Sequence, residues 1–137
     1  MLHLKKTADD LGLPLGKRET TYNSRLAQEL GLWAESKNKG DEFHMAAFRA
    51  YFVDGKNIAK LPVLLDLATS VDLPSKEAKH VLEKREYKAA VDADWELSRT
   101  KGITGVPAFV INKDLLVGAQ PYEMLEKLMQ TNQIPKK

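Results

Sequence analysis

The stretch with the most distinctive chemistry is Thr104-Gly105-Val106-Pro107, a short loop that directly precedes an apolar run. A peptide bond before proline adopts the cis form far more readily than any other peptide bond. A cis bond here would turn the chain sharply and leave the N–H and C=O groups of Val106 unpaired where a strand begins. The simplest role for the Thr104 hydroxyl is to stabilise the turn. The loop therefore predicts a tight turn that starts the strand.

Outside this loop, the sequence lacks the usual reactive groups. It contains no cysteine, so this chain has no disulfide and no thiolate of its own. His3, His44 and His80 have no Cys, Asp or Glu at a recognised metal-ligand spacing. Ser24 and Ser98 lack the flanking glycines of a nucleophile elbow. We therefore predict no catalytic residue, no metal site and no cofactor in these 137 residues.

A β-hairpin is predicted directly after the loop. The apolar run Ala108-Phe109-Val110-Ile111 is followed by a polar three-residue turn, 112–114, and by a second apolar run that ends at Gly118. Short runs rich in Val, Ile and Phe and bounded by turn residues are typical of strands. Apolar residues at consecutive positions favour a strand that is covered on both faces.

The remaining sequence has the spacing of amphipathic helices. Predicted helices begin at Leu2, Gly40, Pro62 and Pro121, and two more are predicted to have Asn23 and Ser75 as their N-terminal caps. A further helix follows a bend at 83–87 and ends at Gly102. Two wide aromatic faces predict that the second and third helices pack together: Leu26, Leu30, Trp33 and Ala34 on one, and Phe43, Ala47, Tyr51 and Phe52 on the other.

The loop, the hairpin and the helix from Pro121 resemble the C-terminal half of DsbA-like thioredoxin-fold proteins. The segments 22–27 (Tyr-Asn-Ser-Arg-Leu-Ala) and 48–52 (Phe-Arg-Ala-Tyr-Phe) resemble the FrnE-type disulfide oxidoreductases of that family. The resemblance covers nearly all of residues 4–130. It implies an α-rich α/β chain with a partial thioredoxin-like fold, in one domain over 1–131. Within it, about 23–101 is a helical insertion, 102–131 holds the loop, hairpin and closing helix, and 132–137 is a polar tail.

The resemblance also implies a role for the loop. In this family the bond before the loop proline is cis, and the preceding residue pairs with an extended substrate beside a Cys-x-x-Cys motif. We therefore predict that Thr104, Gly105, Val106 and Pro107 bind a peptide or thiol substrate. Family members begin with a strand, a Cys-x-x-Cys helix and a second strand, and we find no counterpart of that unit here. Whether Met1 is a natural start or a boundary within a longer protein stays open.

A missing neighbour strand predicts an assembly partner. In the thioredoxin fold, the strand that corresponds to Ala108–Ile111 lies inside the sheet, beside the first strand of that N-terminal unit. An apolar edge without its neighbour invites pairing with another chain. We therefore predict a homodimer through the edge formed by Ala108, Phe109, Val110 and Ile111. The alternative is an N-terminal piece on another polypeptide that fills the edge.

Composition and charge argue against several other classes of protein. Lys and Arg number 21 against 19 Asp and Glu, and a net charge of +2 is too balanced to suggest nucleic-acid binding. No apolar run approaches the roughly 18 residues that a membrane span needs. Residues 1–20 lack the apolar stretch of a secretory signal, so we expect a cytoplasmic protein.

Three functions stay open from the sequence. The first is a part of a DsbA/FrnE-type protein thiol–disulfide oxidoreductase, which without cysteine we expect to be inactive on its own. The second is a non-catalytic dimeric interaction module. The third is a glutathione-binding relative of kappa-type glutathione transferases and hydroxychromene carboxylate isomerases, in which a serine replaces the catalytic cysteines.

Overall fold

The computed structural model describes residues 2–17 and 20–135, and only the backbone of Leu2 and His3. The final two lysines of the predicted polar tail and the side chain of His3 lie outside the described residues. Helices and strands follow in this order: α1 (Leu2–Asp10), α2 (Arg25–Ser36), α3 (Gly40–Phe52), α4 (Leu61–Ser70), α5 (Ser75–Lys84), α6 (Lys88–Thr100), β1 (Ala108–Ile111), β2 (Asp114–Val117) and α7 (Tyr122–Thr131). This helix-rich architecture with a small antiparallel sheet confirms the predicted α-rich α/β class.

Some predicted helix starts are wrong by one or two residues. Ser75 is the first residue of α5 instead of its cap, and the cap position belongs to Pro74. Pro121 likewise precedes α7 instead of opening it. Both prolines have an extended ψ, 114° and 154°, so helical geometry begins only at the following residue. Asn23 lies one residue before the cap of α2, and its Oδ1 accepts a hydrogen bond from the Arg25 N–H at 2.8 Å. This is an Asx turn that leads into the helix.

The hairpin turn contains two residues, not the predicted three. β1 and β2 pair antiparallel with Ile111 opposite Asp114, which leaves Asn112 and Lys113 in the turn. Asn112 has a φ of +54°, a left-handed conformation that asparagine tolerates well. Asp114 can join the ladder because its side chain is exposed and accepts a hydrogen bond from Asn132 Nδ2 at 2.9 Å.

The chain forms two compact units, one up to Asp92 and one from Ala93 onward, and the boundary falls within α6. The one-domain assignment for residues 1–131 stays a prediction.

The first unit has a hydrophobic core around α2, which contacts α3, α4 and α5. Of the predicted aromatic faces, Leu30, Trp33, Ala34 and Phe43 are buried, whereas Leu26, Ala47, Tyr51 and Phe52 are partly buried. Buried apolar residues from all four helices and the adjoining turns complete the cluster: Ala27, Ala50, Ile58, Leu64, Leu67, Ala68, Leu73, Ala78, Val81 and Leu82.

The second unit consists of the end of α6, the hairpin and α7, which contacts β2. The end of α7 is tied to the hairpin turn, because Asn112 Nδ2 donates a hydrogen bond to Asn132 Oδ1 at 2.8 Å. Among its described residues, 93–135, no side chain is fully buried. Across the described part of the chain, no helix has both the length and the apolar character to span a bilayer.

Candidate functional site

The predicted binding loop connects α6 to β1. α6 ends at Thr100, and Gly102 follows with a φ of +70°, a conformation that glycine adopts without steric cost. The Ile103 N–H donates back to the Ser98 carbonyl at 3.0 Å, which closes the helix end. The chain then reaches the Val106–Pro107 peptide bond, which is cis, and enters β1 at Ala108.

Val106 is highly exposed, with 88% of its surface accessible. No hydrogen bond to its N–H or C=O is found among the residues that the structure describes. The next residue is anchored, because the Pro107 carbonyl accepts a hydrogen bond from the Gly118 N–H at 2.8 Å. The loop therefore presents an unpaired peptide group next to a fixed strand.

The outer edge of β1 continues this row of unpaired groups. Opposed residues of an antiparallel pair alternate between positions that exchange hydrogen bonds and positions that do not. Since Pro107 bonds to Gly118, the peptide groups of Phe109 and Ile111 face β2, and those of Ala108 and Val110 face the other edge. The described residues place no third strand on that edge.

Apolar side chains are partly exposed on both faces of the hairpin, with Phe109 on one face and Val110, Leu115 and Val117 on the other. Phe109 and Val110 are 37% and 39% exposed, and on the partner strand Leu115 and Val117 are 42% and 40% exposed. Exposed apolar side chains that lie together on one face, as Val110, Leu115 and Val117 do, are typical of interaction sites. Within the described residues β1 has a neighbouring strand on one side only, and the homodimer through 108–111 stays a prediction.

Thr104 and Gly105 line the approach to this edge. Thr104 is exposed, and its hydroxyl makes no hydrogen bond to any described residue, so the predicted turn-stabilising bond is absent there. A Cβ on Gly105 would lie 3.6 Å from Val117 Cγ1, which is an ordinary contact. Space therefore does not require glycine at position 105.

Sequence reasoning missed the one charged residue that is buried among the described residues, Glu29. Its carboxylate is 1% exposed and accepts hydrogen bonds from Arg25 Nε at 2.8 Å and from Arg85 Nε and Nη2 at 2.8 and 2.7 Å. Arg25 also donates to the Lys88 carbonyl at 2.8 Å and to Asp92 Oδ1 at 2.6 Å. The spacing of Arg25 and Glu29, four residues apart in a helix, was the available sequence signal for an ion pair.

The hydrogen bonds from Arg85 hold the pKa of Glu29 below its ordinary value, although burial acts in the opposite direction. The same pairing raises the pKa of Arg85. Glu29 is therefore an ionised carboxylate with its oxygens already occupied. It joins α2 to the α5–α6 turn, and its chemistry is that of a structural ion pair instead of an acid or base.

The two histidines with described side chains each contact one carboxylate. His44 Nε2 lies 3.0 Å from Glu35 Oε1, and His80 Nε2 lies 3.4 Å from Glu86 Oε1. Within the described residues, no three His, Cys, Asp or Glu side chains converge in a way that could hold a metal ion.

Comparison with known proteins places this helix-inserted fold in a family. The model of the DSBA-like thioredoxin domain matches residues 1–130. The chain therefore belongs to the DSBA-like thioredoxin domain family, which confirms the resemblance inferred from the loop, hairpin and closing helix.

Among curated proteins, the chain is similar to the uncharacterized protein YwbO of Bacillus subtilis (strain 168). The two are 32% identical over 105 residues, which are 74% of this chain and 51% of that protein. The chain thus spans about half the length of this curated relative.

Among solved structures, the chain is similar to a disulfide reductase and shares its fold with a second protein. The cytosolic disulfide reductase DsbM from Pseudomonas aeruginosa is 25% identical with a TM-score of 0.67, over 98% of this chain and 76% of that one. Its structure with GSH is 26% identical with the same TM-score of 0.67, over 95% of this chain and 75% of that one. A putative protein disulfide isomerase from Nitrosomonas europaea shares the fold, with 22% identity, a TM-score of 0.68, and coverage of 94% and 69%.

Proposed function

We propose that this chain supplies the substrate-aligning part of a DsbA-type thiol–disulfide oxidoreductase, of the FrnE branch. The proposal depends on one observation: the unpaired peptide of Val106 continues the free edge of β1 at Ala108 and Val110. An extended peptide that lies along such an edge gains main-chain hydrogen bonds, as an added strand does. Membership of the family and the similarity to a disulfide reductase support thiol–disulfide exchange as the chemistry served.

The reactive sulfurs must come from outside this sequence, because it contains no cysteine. In thiol–disulfide exchange, a thiolate attacks one substrate sulfur, forms a mixed disulfide and expels the other sulfur as a thiolate. A second cysteine thiolate then attacks the mixed disulfide and releases the reduced substrate. The cysteine pair loses the two electrons that the substrate disulfide gains. In this proposal, residues 104–107 hold the substrate backbone while that exchange takes place.

An insulin-reduction assay tests whether the reactive cysteines must come from outside this chain. We expect no turnover by this chain alone, and measurable turnover when it is fused to the strand, Cys-x-x-Cys helix and second strand with which members of this family begin. Clear activity of the cysteine-free chain would contradict the proposal.

Two substitutions at Val106 then test the role of its peptide group in the fusion. Val106→Pro removes the N–H donor, whereas Val106→Ala shortens the side chain and keeps the donor, so it is the matched control. Loss of one hydrogen bond worth about 1 kcal/mol should lower kcat/KM about fivefold in Val106→Pro only. Equal activity of the two variants, with equal circular dichroism spectra, would refute alignment by this peptide.

Glutathione is a second candidate ligand for the same edge. One similar protein was solved with GSH, and glutathione is itself a short extended peptide that suits unpaired backbone groups. A two-dimensional ¹H–¹⁵N NMR titration with S-methyl glutathione separates binding from thiol chemistry. Shifts confined to the amides of Val106, Ala108 and Val110 would favour the kappa-type transferase or isomerase class. If an unrelated extended peptide shifts the same amides, the result would favour the thiol–disulfide oxidoreductase class.

A third candidate is a non-catalytic module that forms a homodimer through Ala108, Phe109, Val110 and Ile111. The exposed apolar surface of the hairpin and its free edge support this assembly. Multi-angle light scattering at micromolar concentration should then report a dimer, and Val110→Lys should give a monomer. Met45→Lys places the same charge on an exposed apolar residue of α3 and should leave the dimer intact. A compact monomer of the unmodified chain would exclude the homodimer.

We also propose a cytoplasmic location, since the similar DsbM is described as cytosolic. Fractionation of the native host should recover the protein with cytoplasmic markers. Recovery in the membrane or extracellular fraction would contradict this location.

A further inference from the structure

The first unit contains a groove that is independent of the binding loop. It lies between the last turn of α2, one side of α5 and the turn that precedes α6. Its volume is about 580 Å³. Sites for small molecules usually measure roughly 300–1,000 Å³, so the groove is large enough for a ligand the size of a short peptide.

The groove has a fixed wall. Trp33 and Val81 line it and belong to the core, with 3% and 5% of their surfaces exposed. The Ser36 hydroxyl donates to the Trp33 carbonyl at 2.6 Å, so the Tyr87 hydroxyl, 3.1 Å from Ser36 Oγ, is the donor of that second bond. The Tyr87 oxygen keeps lone pairs that can accept a hydrogen bond from a ligand.

Charges of both signs surround the opening. Lys37 Nζ lies 2.9 Å from Glu77 Oε2 and 5.8 Å from the centre of the Trp33 ring. His80 Nε2 contacts Glu86 Oε1 at 3.4 Å on the same groove. Lys76 also lines the groove, and within the described residues its ammonium has no ion-pair partner.

Charges of both signs at one opening favour a ligand that itself carries both signs. A simple anion would be attracted to Lys76 but would also meet the carboxylates of Glu77 and Glu86. A simple cation would meet the ammonium groups of Lys76 and Lys37. A molecule with one charge of each sign can place its carboxylate at Lys76 and its ammonium at Glu86. Its own backbone can then donate to the Tyr87 oxygen.

We propose that this groove binds a zwitterion of short-peptide size, with its carboxylate at Lys76 and its ammonium at Glu86. The site uses neither Val106 nor any cysteine, so it is independent of the function proposed above. Failure of one proposal leaves the other unaffected.

A ¹H–¹⁵N NMR titration of the full chain with trialanine, up to about 10 mM, tests this site, because such weak complexes are measurable in that range. We expect saturable shifts at Lys76, His80 and Tyr87 and at the Trp33 indole. N-acetyl-trialanine and trialanine amide each lack one charge and should bind at least about threefold more weakly. Equal binding of either blocked peptide, shifts confined to residues 93–135, or no saturable binding would each overturn the proposal.

Lys76→Gln and Lys79→Gln form a matched pair on α5. Lys79 pairs with Glu83 at 3.7 Å and does not line the groove. Loss of one exposed charge contact should weaken trialanine binding about three- to fivefold in Lys76→Gln and leave it unchanged in Lys79→Gln. Equal affinities of the two variants would overturn the assignment of the carboxylate to Lys76. Both substitutions lie on exposed positions, and circular dichroism checks that the helices are retained.

Discussion

The two units of this protein are stabilised in different ways. Every fully buried apolar side chain among the described residues belongs to the first unit, which also contains the buried ion pairs of Glu29. In the second unit, the described residues have no fully buried side chain, and the hairpin exposes more than a third of Phe109, Val110, Leu115 and Val117. Burial of apolar surface is the main favourable term in folding. The first unit therefore has an internal source of stability, whereas the second has apolar surface that a partner or substrate can still cover.

The largest expected difference comes from matched leucine truncations. Leu30 is 0% exposed in the core, so Leu30→Ala should lower the free energy of unfolding by about 3 kcal/mol through lost burial and a residual cavity. Leu115 is 42% exposed on β2, and Leu115→Ala should cost less than about 1 kcal/mol. Urea unfolding followed by circular dichroism measures both values. Similar losses of unfolding free energy in the two variants would show that the hairpin surface is covered in solution. That result would contradict the contrast between the two units.

The next largest effect is expected at Glu29. Glu29→Gln removes the charge between Arg25 and Arg85 and leaves two guanidinium groups without their shared carboxylate. Loss of one partner from a buried ion pair should lower stability by about 2–3 kcal/mol. Glu77→Gln is the control, since the Lys37–Glu77 pair is exposed and should contribute little. A stable Glu29→Gln variant would mean that packing alone holds the α5–α6 turn on α2.

Alanine substitutions at two glycines should differ in their cost in stability, by less than the substitutions above. A Cβ on Gly16 would overlap the carbonyl oxygen of Val53, which is backbone and cannot rotate away. Gly16→Ala should therefore cost about 2 kcal/mol, as overpacked sites do. A Cβ on Gly105 would meet only Val117 Cγ1 at an ordinary 3.6 Å, and Gly105→Ala should stay within about 0.5 kcal/mol. Thermal melting of both variants checks this contrast, and equal melting temperatures would contradict it.

The pH dependence of Glu29 sharpens the comparison further. Its pKa in the folded protein lies below the ordinary value of 4.5, chiefly because of the Arg85 hydrogen bonds. Its stabilising contribution is therefore complete above pH 4.5 and is lost as the pH falls through the lower folded value. The difference in unfolding free energy between the native chain and Glu29→Gln should thus shrink as the pH falls from 4.5 through the lower folded pKa of Glu29. A constant difference over that range would place the effect of the substitution outside this ionisation.

The smallest effect is expected where α7 meets the hairpin turn. Asn132→Ala removes the side-chain hydrogen bonds to Asn112 and Asp114, which are exposed and should contribute about 0.5–1 kcal/mol together. The opening of the second unit should respond more than that of the first. Amide hydrogen exchange should therefore accelerate for β1, β2 and α7 and stay unchanged for α2 and α4. Equal acceleration in both units would show that they open together.

Local sequence signals located most elements of the fold. The spacing of Leu30, Trp33 and Phe43 indicated helical faces, and all three side chains are buried as predicted. The errors lie at boundaries, where the extended ψ of Pro74 and Pro121 shifts the first helical residue by one position. The predicted turn of three residues was also wrong at its boundary, because Asp114 belongs to β2. Asp114 is polar by composition, but strand pairing depends on its backbone.

The candidate site was predicted from Val106-Pro107 and from the resemblance of the loop, hairpin and closing helix to DsbA-like proteins. The contacts of Glu29 could not be predicted in the same way. Arg85 lies 56 residues away from Glu29, and only the packing of the α5–α6 turn on α2 brings the two side chains together. The groove lined by Trp33, Lys76 and Tyr87 likewise depends on elements that are distant in sequence.

The sequence by itself determined the helical faces, the hairpin, the loop before β1 and the absence of thiol chemistry within this chain. These properties depend on residue type and on neighbours a few positions away. Tertiary structure alone decided that Glu29 is buried with two arginines and that the outer edge of β1 presents Ala108 and Val110. Burial and strand register are relations between distant segments, and their energies depend on which surfaces the folded chain brings into contact.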